Sequence, residues 1–596
     1  MLYYVGIDFG HGETTVSRVP GYNGNPVSQI SLKNTNDAAD KKIISAVCKD
    51  KYGKWSLVNS SNDYSARDLR EGFKAMVNNR QGRSDMTCMS ERDKESMREF
   101  AKLIFKAIRE HDTDLRFDPE SGEKNFELGI ACPSDWTRQD SNAQQDYLDF
   151  FRNECGLPVD HCIKESDAAF FSKFSRYAND DSVFVIDLGS STIDFTTYSR
   201  GKCITSCCWG ESQGAHKIDD ALVSVIKRTG DNAVNIEQLN NYRKQTGFGD
   251  CFAAISLLTR RAKELYYLNN GKFSIAIPFS ELSTEWSGDD WALCIKFKAE
   301  RDEYDKIIDG YVLRIREILK NAKIKLNQNG IFPNRILLSG GACRMNFVQQ
   351  YVKEIFQDAQ VDIDPQPECV VSNGIALYAE RFNQALRNLL DNLRGVNFET
   401  IYKEADTEAT LEAIKELVPS VVSRVKDYTG CTGNQMRNIF CNFIKGLDEN
   451  NATFKNLVLS KLKSKINAKA KSAIEKAYMD VYKRTVDTRN INIDIQANIL
   501  PFDPDSLEPG GEWYNGFTVW IDSASSRFDF TWDKPRERDE RCKIADGVKS
   551  SLHSLQSLNI TYSNIGSFVE NIENQVFYYT IEKFKEKQLF DMTFKQ

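Results

Sequence analysis

The stretch "VFVIDLGSSTIDFTTYS", residues 183–199, decides the reading of this chain. It opens with an apolar run of the kind that forms a buried strand. The run ends at Asp187 and Gly189, passes through Ser190, Ser191 and Thr192, and returns to β-type sequence carrying a second acid, Asp194. A tight turn between two strands, flanked by two carboxylates, is the expected local structure.

A related stretch lies near the start. Residues 3–16, "YYVGIDFGHGETTV", also form an apolar strand ending in Asp-x-Gly, at Asp8 and Gly10, and return to β-type sequence through Thr14 and Thr15. The pair reads as an internal repeat. Its chemistry suits phosphate. A glycine after the acid lets successive backbone N–H groups point at one anion, and the hydroxyls add donors. A carboxylate repels bare phosphate but holds hydrated Mg²⁺ that bridges phosphate oxygens. Two such hairpins face to face would clamp a nucleotide tail, with the second acid orienting water. A third glycine site, "RILLSGGACRMNFVQQ" (335–350), puts Gly340-Gly341 at a strand-to-helix junction, where a ligand approaches backbone closely. An adenosine fits there beside Arg344.

Between these sites helical patterns cover about 93–112, 140–155, 215–228, 253–268, 303–326, 344–357 and 368–391. Strand-like runs include 127–131, 202–208 and 273–278. The alternation predicts an α/β fold. At 596 residues the chain is too long for one core. A net charge of −7 gives no global pull toward nucleic acid or membrane. The 15 cysteines are spread without a C-x-x-C pair, which predicts free thiols in a reducing cytoplasm. The five histidines have no metal-ligand spacing. The N-terminus does not read as a signal peptide, and no run approaches the roughly 20 apolar residues of a membrane helix.

The order of motifs resembles the nucleotide-binding domain of the 70 kDa heat-shock (DnaK-like) chaperones, within the actin / sugar-kinase ATPase superfamily. "GIDFGHGETT" is similar to the first phosphate motif, "IDLGSSTID" to the second and "LLSGGACRM" to the adenosine motif. "ACPSDWTRQDSNAQQDYLDFFRNECGLPVDHCIKESDAAFF", "WGESQGAHKIDDALV", "RRAKELYY" and "PECVVSNGIALYA" resemble the connecting pieces. The resemblance implies a two-lobed actin-like ATPase fold of duplicated ribonuclease-H-like domains over 1–385. Lobe I would take about 1–182 plus 358–385, and lobe II about 183–357. It implies ATP/ADP and Mg²⁺ as cofactors and slow ATP hydrolysis. Asp8 and Asp187 would hold the metal through water. Glu165 and Asp194 would position water, and Lys74 would stabilise the transferring phosphoryl. Gly10, Thr14, Thr15, Gly189, Ser190, Ser191 and Thr192 would meet phosphates, and Gly214 the turn behind them. Lys263, Gly340, Gly341, Arg344 and Glu368 would line the nucleoside.

There are departures. The first loop looks more like the Asp-x-Gly-x-Gly loop of actin relatives and sets His11, Gly12 and Glu13 near the phosphates. Ser190-Ser191 replace glycines, Glu264 replaces an adenine-stacking arginine, and Arg260 takes a place usually acidic.

The family's hydrophobic linker, β-sandwich and acidic tail are not found in the rest of the chain, which reads as a mainly helical α+β region. Residues 386–495 are read as amphipathic helices, one with a lysine-rich face from Lys455 to Lys483. No aromatic platform interleaves with those lysines, which argues against nucleic acid. Residues 496–596 are read as a mixed β/α module carrying Trp513, Trp520 and Trp532. A protein client or partner would bind through 386–596, with nucleotide-exchange or J-domain-type cofactors and no membrane. The expected function is a chaperone-like ATPase. The alternatives are an actin-like filament protein and, behind it, a small-molecule kinase.

Overall fold

In a computed structural model, residues 1–21, 26–32, 42–58, 64–66, 68–73, 86, 89–133, 143–173, 182–200, 202–269, 272–283, 294–427, 432, 435, 452–482, 485–494, 539, 542–543, 546, 550 and 565–586 are described. The chain divides into two compact units, Met1–Asn383 and Gln384–Gln596.

The first unit holds two sheets with the same strand order. In the first, β1 (Tyr3–Phe9) pairs antiparallel with β2 (Glu13–Pro20) and parallel with β3 (Phe126–Cys132), which pairs parallel with β4 (Val159–Lys164). In the second, β5 (Val183–Leu188) pairs antiparallel with β6 (Ile193–Ser199) and parallel with β7 (Arg335–Ser339), which pairs parallel with β8 (Gln360–Ile363). β1 and β5 are the inner strands, and this explains their near-continuous apolar runs: both faces are covered. Phe9, Phe100, Ile104 and Phe151 build one core. Phe184, Phe195, Trp209 and Leu338 build the other.

The hairpins repeat in register. Asp8 lies opposite Thr15 in the first, and Asp187 opposite Asp194 in the second. Four residues span each turn, Gly10–Glu13 and Gly189–Thr192, so Glu13 stands where Thr192 stands and Thr15 where Asp194 stands. The returning strand is tied to a helix in the same manner each time. Thr196 donates to Ser166 and Tyr198 to Asp167, both on α1 (Glu165–Ser172). Ser17 bonds Ser372 at 2.8 Å and Asn373 at 2.8 Å, both on α2 (Val370–Arg394). The two helices touch where Gly374 passes Ala168. A Cβ on Gly374 would sit 1.7 Å from the Ala168 carbonyl oxygen, so only hydrogen fits.

Pairing adds detail that the sequence alone did not carry. Residues Gln360–Ile363 supply the outer strand of the second sheet. The small sheet of Ala46–Lys49, Trp55–Leu57 and Asp68–Glu71 serves both cores, because alternate strand residues face opposite sides: Ala46 and Cys48 pack with the second core, Val47 with the first. The run 202–208 is strand only at Lys202–Cys203, then turns through Thr205–Cys207. A helix at Asn232–Gln245 was not expected from the sequence. Its buried Ile236 and Leu239 are set among polar residues and give little apolar periodicity.

The described part of the second unit is helical. α3 (Phe398–Asp427) and α4 (Ala452–Tyr482) bear buried stripes at turn spacing, Phe398-Tyr402-Ala405-Ala409 and Val458-Leu462-Ile466-Ala470. α5 (Gly566–Glu586) adds Phe568, Ile572, Val576 and Phe584, with Phe568 against Tyr402. Part of the lysine-rich face is paired within the unit. Lys461 meets Glu416 at 2.7 Å, Lys465 meets Glu412 at 2.6 Å, and Lys469 meets Glu404 at 2.9 Å. As the lysine number rises the glutamate number falls, so the helices run antiparallel. The β-type runs and tryptophans of 501–533 lie outside the described residues. Among the described residues no helix is long and apolar enough to cross a membrane.

Candidate functional site

The two acid-ended turns open on one cleft of about 360 Å³, a size suited to a small-molecule ligand. Asp8, Gly10, His11, Gly12 and Glu13 line one side. Asp187, Gly189, Ser190, Ser191 and Thr192 line the other. Glu165 reaches in from the first turn of α1. Gly340, Gly341, Arg344 and Glu368 lie in the same wall. Gly340 adopts φ +80°, and a Cβ there would meet the Leu188 carbonyl oxygen at 2.3 Å. A glycine is therefore required for the backbone after β7 to lie flat against the end of β5.

Asp187 is the electrostatic centre. It is 6% exposed, and its Oδ1 is buried without a hydrogen-bond partner. Burial, and then the charges of Glu165, Asp194 and Asp8, push its carboxyl well above the ordinary carboxylate range. Asp8, Asp187 and Glu165, with Asp194 behind them, concentrate negative charge at this end of the cleft, while Lys42, Arg260, Lys263 and Arg344 line the rest of it. Among the described residues, no three His, Cys, Asp or Glu side chains stand close enough to ligate a metal directly. The unpartnered Oδ1 of Asp187, with the carboxylates of Asp8 and Glu165 in the same cleft, gives oxygen acceptors that fit a cation keeping its water shell, as Mg²⁺ does.

Other expected residues are engaged elsewhere. Thr14 bonds Ser45 at 2.9 Å and Thr15 bonds Ser372 at 2.9 Å; both are buried and neither lines the cleft. As neighbours on β2 they point to opposite faces, and both faces are covered. Asp194 lies behind the wall and accepts from Thr192 at 2.7 Å. Gly214 supports the second turn from beneath: its N–H donates to Ser191 at 3.0 Å, and a Cβ would strike Ser190. Arg344 pairs with Glu368 at 2.9 Å. Lys263 lines the cleft; it is buried, and Asp219 holds its ammonium at 2.8 Å. Lys74 lies outside the described residues.

Sequence reasoning missed Lys42. It lies opposite Thr15 in the short strand Lys42–Ile44, which adds to the edge of β2, and it lines the cleft. Its ammonium is 2.5 Å from Glu13 and 3.7 Å from Glu264. Burial pulls the Lys42 pKa down, but Glu13 and Glu264 outweigh it and hold it above the ordinary range. Glu13 is raised by burial and by Glu264, against Lys42. Arg260 donates to the Gly12 carbonyl at 3.2 Å and sits near Glu71 and Asp219. These contacts explain the exchange of acid and base at 260 and 264. Arg260 braces the first turn from behind, while Glu264 faces a lysine supplied by the other sheet. Tyr267 and Leu268, one turn further along the helix Phe252–Asn269, extend the same wall.

This geometry coincides with a distant similarity in sequence. Bacterial DnaK chaperones are similar to part of this chain. The chaperone protein dnaK1 of Prochlorococcus marinus subsp. pastoris is 25% identical over 242 residues, 40% of this chain and 34% of the relative. The chaperone protein DnaK of Thermus thermophilus is 25% identical over 268 residues, 43% of this chain and 40% of the relative. The chaperone protein DnaK of Elusimicrobium minutum is 27% identical over 238 residues, 38% of this chain and 35% of the relative. The chain thus spans about a third to two fifths of the length of these curated relatives. No family model matches it.

Proposed function

We propose that residues 1–383 bind ATP and ADP with hydrated Mg²⁺ in a two-lobed, actin-like ATPase arrangement. The carrying observation is that two register-matched Asp-ended hairpins, from sheets of the same strand order, face one cleft. When bound, Mg²⁺ would supply positive charge against the phosphates. Asp8 and Asp187 would accept hydrogen bonds from its water shell. The backbone N–H groups of Gly10–Glu13 and Gly189–Thr192 would cradle the phosphates, with Ser190, Ser191 and Thr192 hydroxyls as further donors. Glu165 would hold the attacking water. Asp194, acting through Thr192, positions the second turn. Lys42 would offer positive charge to the phosphates, a role that the sequence reading gave to Lys74 alone. Gly340, Gly341, Arg344 and Glu368 would take the nucleoside. Catalysis would rest on positioning and electrostatics.

In this reading the protein is chaperone-like, and nucleotide state governs partner binding through residues 384–596. The similarity to DnaK chaperones supports it. The glutamate ladder on Lys461, Lys465 and Lys469 supports a protein partner over nucleic acid, because those charges are already paired. The test is phosphate release from Mg-ATP with no added acceptor. Slow release that stops in Glu165→Gln is expected. Release that begins only when a hydroxylated small molecule is added would replace this reading with a kinase, and nucleotide-dependent sedimentation would replace it with a filament protein.

A further inference from the structure

Beyond the cleft, β6 runs on into a compact thiol cluster. Cys203 lies in the short strand Lys202–Cys203, opposite Tyr198 of β6. The chain then turns through Thr205–Cys207, and Cys208 returns beside Cys203. The two sulfurs are 3.4 Å apart. Cys207 is fully buried, with its sulfur 3.8 Å from the Ser206 hydroxyl. Thr205 and Ser206 at the tip are exposed, Cys203 is half-buried and Cys208 is buried, so a small oxidant approaches the pair from the Cys203 side. The two thiols share one hydrogen bond, and Cys208 also reaches the Ile204 carbonyl at 3.3 Å. The thiolate is the nucleophilic form of cysteine.

The pair is joined to α1. Tyr198, the register partner of Cys203, donates to Asp167 and stacks on Phe170 with ring centroids 3.7 Å apart. Lys164, which directly precedes α1, feels Asp167, Cys203 and Cys208 together. The next residue is Glu165, in the cleft.

We propose that Cys203 and Cys208 are a reversible thiol–disulfide site, oxidised by peroxide, whose closure displaces α1 and with it Glu165. The thiolate of one of the pair attacks one peroxide oxygen; the O–O bond breaks, the second oxygen leaves as water after protonation, and that cysteine becomes a sulfenic acid. The other sulfur then displaces that hydroxyl as a second water and the S–S bond forms. Two thiols lose two hydrogens in all, and one peroxide becomes two waters. A disulfide needs sulfurs about 2.05 Å apart. The turn at 204–207 must therefore tighten, and that pull falls on the strand end that holds Tyr198. A dithiol reductant reverses the step by exchange.

The thiol chemistry stands apart from the ATPase reading, while its effect on turnover rests on that reading. The test uses the full chain with Cys207→Ala, so that one pairing is left in the tryptic peptide 203–217. After hydrogen peroxide, that peptide is expected to lose the mass of two hydrogens and to resist iodoacetamide, and dithiothreitol restores two alkylation sites. The added change Cys203→Ala removes the mass loss. Two alkylatable thiols after peroxide, or the same mass loss without Cys203, would overturn the site. Phosphate release from ATP should fall severalfold in the oxidised Cys207→Ala protein and recover with dithiothreitol. Unchanged release from a fully disulfide-bonded sample would overturn the link to α1. Absence of any release before oxidation would count against the ATPase reading alone, and the peptide masses would still decide the thiol site.

Discussion

Replacing Asp187 by Asn should make the nucleotide-free protein more stable while removing its response to magnesium nucleotide. The side chain is nearly fully buried, its Oδ1 has no hydrogen-bond partner, and Glu165, Asp194 and Asp8 act on it. Its carboxyl is raised well above the ordinary range. A raised acid binds its proton more tightly folded than unfolded. Relative to a neutral group of the same shape, the folded protein therefore pays nothing below the unfolded pKa of about 3.9. The penalty grows as pH rises through the interval up to the folded pKa and is complete above it. Asn keeps the shape and removes the charge. Relief of such strain at a functional site is on the order of 0.5–2 kcal/mol, a melting shift of a few degrees at most for a domain this large. The assay is thermal melting at neutral and mildly acidic pH, with and without Mg-ATP. The variant should melt higher than the parent at neutral pH, and the gap should narrow as pH falls toward 4. Mg-ATP should raise the melting point of the parent and leave the variant unmoved. A variant that melts lower without ligand, yet still gains the full ligand-induced rise, would refute the account of Asp187.

Other perturbations address separate parts of the structure. Gly374→Ala drives a methyl into the Ala168 carbonyl and should cost about 1–3 kcal/mol or more in chemical denaturation; an unchanged midpoint would contradict the close helix crossing. Lys42→Ala leaves Glu13 beside Glu264 without its cation and should weaken ATP binding by about tenfold, as loss of a charged hydrogen bond does. Adding Glu13→Gln should recover part of the lost stability but not the affinity, and additive effects in the double-mutant cycle would argue against the contact. Lys465→Glu places like charge against Glu408 and Glu412 on a largely exposed face, so the loss should be about 0.5 kcal/mol and should shrink in high salt; a loss independent of salt would mean that the ladder is not electrostatic.

The sequence announced the hairpins because each joins a buried apolar strand to an acid and a glycine, a local pattern that needs no knowledge of the rest of the fold. It also announced Gly340, where backbone geometry allows no other residue. The long amphipathic helices were equally visible from turn spacing. What it hid depends on contacts distant in the chain. Lys42 enters the cleft only because a three-residue strand adds to the edge of β2, and nothing local marks it. Thr14 and Thr15 look like phosphate ligands until partners distant in the chain, Ser45 and Ser372, take up their hydroxyls on the two covered faces of β2. Residues 360–363 are placed in the second sheet by parallel pairing with β7, which their own polar sequence does not signal. The lysines of α4 read as a charged helix face, but their partners, glutamates of α3 at matching spacing, lie far away in sequence.

In the proposed site Asp8 and Asp187 share one magnesium nucleotide. Calorimetric titration of ATP into the full chain, with Mg²⁺ and then with EDTA, is decisive when repeated on Asp8→Ala and Asp187→Ala. One nucleotide per chain is expected in Mg²⁺, with binding largely lost in EDTA and in either variant. Equal affinity in all four conditions would rule out a shared site.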